Sequence, residues 1–114
     1  IPPGPGLDRP GTWVAARTES TREIMHDQVA QTRLHRFWNT APDGSLDAER
    51  LSIVGQILGG GKTSRLYERL VYREQIADTV SAGLSGVEIA GLFGITADVK
   101  SGVPPARVEA AIDE

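Results

Sequence analysis

Gly59-Gly60-Gly61-Lys62-Thr63 is the stretch whose residue types come nearest to a known chemistry. A glycine-rich loop ending in Lys-Thr cradles phosphates through its backbone N–H groups when it follows a strand and opens a helix. The full pattern, G-x-x-x-x-G-K-[ST], puts its first glycine at position 56, which is Gln56; Gly55 is one residue too early. The segment before the run also has the periodicity of a helix rather than a strand. A tight connection between two helices accounts for the glycines instead, with Gly59 as C-cap and Thr63 or Ser64 as the next N-cap. A nucleotide-binding module is therefore the remotest of the functional readings.

The other reactive side chains are scattered. His26 and His35 lie nine residues apart on what read as neighbouring strands, outside H-x-x-E-H or H-E-x-x-H, whose helical spacing aims two imidazoles at one zinc. Asp43, Asp47 and Glu49 gather at a helix start, where capping and the helix dipole explain them. Arg22, Arg33 and Arg36 are interleaved with acids and read as a solvated face. With no cysteine there is neither a thiolate site nor a disulfide framework. The residues by themselves assign no catalytic, cofactor-binding or metal-ligating position.

The elements that would position a site are clearer. Residues 1–12 carry the early prolines and glycines and read as an extended tether. Trp13–Ala16 is a candidate first strand, Thr21–Asp27 a weak alternation through Ile24 and Met25, and Val29–Thr40 the best strand. On it Ala30, Thr32, Leu34 and Trp38 share one side, while Gln31, Arg33 and His35 share the other. Ala41-Pro42-Asp43-Gly44 is a turn, and Ser45 or Asp47 caps the helix after it. Leu51, Val54 and Leu58, with Ile53 and Ile57 beside them, form a broad apolar stripe, so this helix is expected to be largely buried. A second helix spans about Ser64–Arg73. Val80, Ala82 and Leu84 line a strand that turns at Ser85-Gly86 and pairs with a strand through Phe93, Ile95, Ala97 and Val99. Pro104-Pro105 opens a last helix. Antiparallel strands with helices packed on one face make an α+β layer.

The 114 residues amount to one domain or a piece of one. A formal net charge of −3 disfavours nucleic acid as a partner, and no apolar run is long enough to cross a bilayer. The start on Ile1 and the close on an uncapped helical pattern lead to the expectation of a fragment, with residues 1–20 as linker and lead-in and 21–114 as a partial domain.

Leu58-Gly59-Gly60-Gly61, Ser64-Arg65-Leu66, Leu70, Ile76-Ala77 and Val80, in that order, resemble the insulinase/pitrilysin family of zinc metallopeptidases, specifically its non-zinc, C-terminal type of domain. The proline-rich opening, Gln28 or Gln31 near a strand start, Pro42-Asp43 before a helix and the glycine-containing hairpin extend the likeness over nearly the whole chain. The resemblance implies an insulinase-type domain that encloses peptide as one wall of a chamber. It places zinc in the N-terminal domain or a partner subunit of the parent protein, with a homo- or heterodimer as the assembly and the periplasm as the compartment. In that family an arginine and a tyrosine from this type of domain help stabilise the transition state. The matching positions here are Val71 and Asp78: a valine has no donor to offer an oxyanion, and a carboxylate repels one. The chain alone is thus expected to be inactive, either as the non-catalytic domain of a peptidase or as a silent scaffold or assembly subunit.

Overall fold

The structure, a computed structural model, describes residues 1–114. Strand β1 (Arg33–Thr40) is followed by helix α1 (Leu46–Gly59) and a single helical turn, α2 (Arg65–Tyr67), which runs directly into a π-helix (Glu68–Arg73). The hairpin β2 (Ala77–Gly86) and β3 (Gly91–Val99) and helix α3 (Pro105–Asp113) complete the chain. The strands form one antiparallel sheet in the order β1-β3-β2. This is the α+β layer expected, with helices on one face.

Local chemistry sets these boundaries. Gly44 supplies the positive φ of +78° that its turn requires, and the Ser45 hydroxyl accepts the Ala48 N–H at 3.1 Å to cap α1. Strand register then sorts the side chains. Leu34, Ala97 and Val80 stand in one row on the helix side; Arg36, Ile95 and Ala82, then Trp38, Phe93 and Leu84, form the next two. Against these rows pack Leu66 and Leu70 from the segment after α1, with Val108 and Ala111 from α3. Leu70 and Val108 are fully buried. The opposite face is polar: Arg33, Asp98 and Thr79 form one row, His35, Thr96 and Ser81 the next, and Phe37, Gly94 and Gly83 a third.

Several elements differ from expectation. β1 begins at Arg33 rather than Val29, and neither Trp13–Ala16 nor Thr21–Asp27 forms a strand, because the single bond from the Trp13 N–H to the Ile89 carbonyl is the only backbone pairing either makes. His26 consequently lies in the extended lead-in and not on a strand. The hairpin continues through Ser85↔Leu92 and Gly86↔Gly91 and turns at Val87–Ala90, where the Val87 N–H donates to the Ala90 carbonyl at 3.0 Å.

The largest difference is α1. Its buried residues are Ala48, Gly55 and Gly59, whereas Val54 is 40% exposed and Ile53 62%. The cause is close approach. A Cβ built on Gly59 would lie 2.1 Å from the Ala82 nitrogen, and one on Gly55 would lie 3.0 Å from the Gly83 Cα. The helix seats backbone against backbone on β2, so Leu51 and Leu58 are only half-buried at its flanks. The C-cap is Gly60, one residue later than expected.

Candidate functional site

The glycine run has a structural use throughout. Gly59 lets α1 touch β2, Gly60 donates its N–H to the Gln56 carbonyl at 3.0 Å, and Gly61 adopts φ +125°. Ser64 is buried and turns both its hydroxyl (2.6 Å) and its N–H (3.1 Å) onto the Gly61 carbonyl. Those two donors are consumed inside the turn, so the link holds two helical segments together and presents no phosphate cradle.

The segment after the link carries Val71 and leads to Asp78, the two positions that the resemblance singles out. Val71 lies in the π-helix and packs, half-buried, against the core. π-helical turns are rare and concentrate at functional sites; this one ends at Arg73, and just beyond it Gln75, with a φ of +51°, places a non-glycine residue in the left-handed region. Asp78 is exposed at a bulge where the pairing with β3 shifts between Ala77 and Thr79. The Gln31 amide donates to the Asp78 carboxylate and, at 3.0 Å, to the Val99 carbonyl. Val71 thus faces apolar packing, and Asp78 offers only an acceptor that a side-chain amide already engages.

The arginines are similarly committed. Arg69 pairs with Glu74 at 2.7 Å and with Glu114 at 2.5 Å, and Arg73 with Glu68 at 2.6 Å; Arg65, Glu68, Arg69, Arg73 and Glu74 line a cleft of about 370 Å³. The hydrogen bonds from Arg69 to Glu74, foremost, and to Glu114 raise its pKa above the ordinary arginine value. Tyr67 and Tyr72 pack edge to face on each other, with ring centroids 5.3 Å apart, and neither lines that cleft. The larger cleft, about 540 Å³, lies between α1 and the hairpin, with Asp43 and Glu49 as its only charges. Of the three arginines read as a face, Arg22 meets Glu109, Arg33 meets Asp98, and Arg36 meets Asp113.

The histidines stay apart in role. His35 Nδ1 is 3.1 Å from the Thr96 hydroxyl, and its ring stacks on Phe37 at 5.7 Å. No group of three or more His, Cys, Asp or Glu side chains is placed to hold a metal ion. Sequence reasoning passed over one feature, the small-residue seam Ala48, Gly55, Gly59. Its signal is the spacing i, i+7, i+11 along one helix face.

The class this geometry defines is an α+β domain whose polar side chains are spent on one another, with no nucleophile, base and orienter assembled at a cleft. The sequence profile of the peptidase M16 inactive domain matches residues 1–114, and the chain belongs to that family, the non-zinc type of domain of the insulinase peptidases. Among solved structures it is similar to a protease from Helicobacter pylori, with a TM-score of 0.74 and 18% identity, over 79% of this chain and 22% of that one. It is also similar to a peptidase M16 inactive domain from Pseudomonas fluorescens, with a TM-score of 0.65 and 22% identity, over 75% of this chain and 21% of that one. The chain thus spans about a fifth of the length of either. No curated protein matches it.

Proposed function

We propose that this chain is a non-catalytic domain from the C-terminal half of a zinc metallopeptidase, with residues 1–20 as its linker and 21–114 as part of a wall enclosing peptide. The helices cover one face of the sheet, which leaves the broad face bearing Arg33, His35 and Phe37 as the surface that would look into such a chamber. The zinc and its general base would belong to an N-terminal domain or a partner subunit.

The observation that carries this reading is the character of Val71 and Asp78 within a chain that matches the inactive-domain family along its whole length. Stabilising a tetrahedral oxyanion requires aimed hydrogen-bond donors, and removing a single donor costs a factor of about 100–1000 in rate. A half-buried valine packed against the core and a carboxylate on a strand bulge supply none. Beside a zinc-bearing domain, this one would contribute shape and contact surface rather than charge.

The test is peptide hydrolysis with zinc added, first by the isolated chain and then by the chain mixed with a zinc-bearing partner. We expect no turnover by the chain alone and an unchanged rate when Val71→Arg is compared with the unaltered chain. Turnover by the chain alone removes the proposal. If the parent protein lacks H-x-x-E-H in every subunit, the scaffold reading replaces it.

A further inference from the structure

Residues 12–32 combine much exposed apolar surface with few partners. Ile24 is 71% exposed and Met25 84%, with Trp13, Val14 and Val29 also exposed. What holds this lead-in is sparse. The Trp13 N–H donates to the Ile89 carbonyl at 3.2 Å, the Asn39 amide donates to the Ala15 carbonyl at 2.9 Å, and Arg22 pairs with Glu109 at 2.9 Å. At the other end Gln31 is tied to Asp78 and the Val99 carbonyl, and the Thr32 carbonyl accepts from the Val99 N–H at 2.9 Å, but residues 23–29 between these anchors make no hydrogen bond or ion pair with the rest of the chain to offset the cost of ordering them.

β1 has the complementary deficit. It is the outermost strand on its side of the sheet, and no backbone hydrogen bond joins it to residues 12–32. Its two adjacent aromatics are exposed on opposite faces, Phe37 by 56% and Trp38 by 44%. A bare strand edge of this kind is a template for another strand.

We propose that residues 23–29 close onto the outer edge of β1 as a fourth antiparallel strand, and that the arrangement seen here is its open position. The chain already bends at Ala30 and Gln31, where such a hairpin must turn. Between Thr12 and Ala41 there is neither proline nor glycine, so every backbone donor is present. A three-residue connection, Ala30–Thr32, is a common hairpin loop and pairs Val29 with Arg33. The same register sets Asp27 opposite His35 and Met25 opposite Phe37 on the polar face. On the helix face it sets Ile24 opposite Trp38 and His26 opposite Arg36, whose charge Asp113 already meets. Both exposed aromatics of β1 thereby gain an apolar partner. A slip of one residue toward Arg33 would set Met25 against Arg36 instead, and a slip the other way would leave Phe37 facing His26, so only this register gives both aromatics an apolar partner.

The experiment uses the full 114-residue chain. A Met25→Cys/Phe37→Cys variant is oxidised beside an Ile24→Cys/Phe37→Cys control, whose two side chains point to opposite faces in the closed register. Directly opposed residues in an antiparallel pair sit at a separation that a disulfide spans. We expect an intramolecular disulfide in the first variant at least about tenfold faster than in the control. In the unaltered chain we expect nuclear Overhauser contacts between the Met25 methyl and the Phe37 ring. Equal oxidation rates, disulfides formed between molecules, or absence of the Met25–Phe37 contact would each overturn the closure.

Discussion

Helices α1 and α3 meet the same sheet in opposite ways. α1 lies on β2 through Gly55 and Gly59, backbone on backbone, and turns Ile53, Val54 and Ile57 outward. α3 buries Val108 completely and Ala111 nearly so, and surrounds them with carboxylates. Glu109, Asp113 and Glu114 are held by Arg22, Arg36 and Arg69, each from a different part of the chain. In α3 the apolar stripe of the sequence is the buried stripe. In α1 the small residues decide which face goes in, because a backbone contact brings the helix nearer than any leucine would allow.

The most damaging way to break this comparison is to give α1 a side chain where it has none. Gly59→Ala places a methyl 2.1 Å from the Ala82 nitrogen and 2.7 Å from the Ala82 Cβ, against atoms of a paired strand that have nowhere to move. Overpacking of that kind costs typically 1–3 kcal/mol, and at a rigid backbone contact we expect about 3. Urea titration reads it as a lower midpoint at constant slope. An unchanged midpoint means that α1 slides outward freely and that the seam is not tight. The corresponding test on α3 removes volume instead. Val108→Ala should cost about 2 kcal/mol through lost burial and a residual cavity.

A smaller effect probes what the two seams share, the strand between them. Asp98 stands on the polar face of β3, and its carboxylate accepts from Arg33 at 2.6 Å and from Thr79 at 2.9 Å. These bonds, the one from Arg33 foremost, hold its pKa below 3.8. A carboxyl whose pKa is lowered on folding adds stability above its unfolded value and loses it as the pH falls through the folded one. The chain should therefore lose stability below about pH 4, and Asp98→Asn should flatten that part of the curve. A variant that follows the same acid limb as the unaltered chain would remove Asp98 from the account.

Much of this architecture was legible in the residues. Turn chemistry at Pro42-Asp43-Gly44, the Ser45 cap, the alternation of Phe93, Ile95, Ala97 and Val99, and Pro104-Pro105 before α3 each fix a boundary through a local rule. What was not legible depends on distant partners. The stripe of Leu51, Val54 and Leu58 looks buried to any periodicity argument, yet Gly55 and Gly59 outrank it because of where Ala82 and Gly83 lie. Val29–Thr32 alternates like strand, but the ladder begins only at Arg33, opposite Asp98. The π-helical turn at Glu68–Arg73 has no sequence signature, since leucine, valine and arginine suit an ordinary helix equally well. The family was legible from a motif, and the proposed inactivity rests on the two residues that depart from it, Val71 and Asp78.

The mildest test concerns the outward side of α1. Val54 has the stripe's spacing but keeps 40% of its surface in water, so Val54→Ser should change stability by less than about 0.5 kcal/mol, the range of surface substitutions that touch no special feature. Serine is close to valine in helix propensity, which leaves side-chain burial as the main variable. Placed beside Gly59→Ala, five residues further on, this variant isolates the cause. If the glycines seat the helix, a polar group is tolerated outside and a methyl is not tolerated inside. A loss of 2 kcal/mol or more from Val54→Ser, on the scale of a buried aliphatic, would mean instead that α1 rotates its apolar stripe toward the sheet in solution.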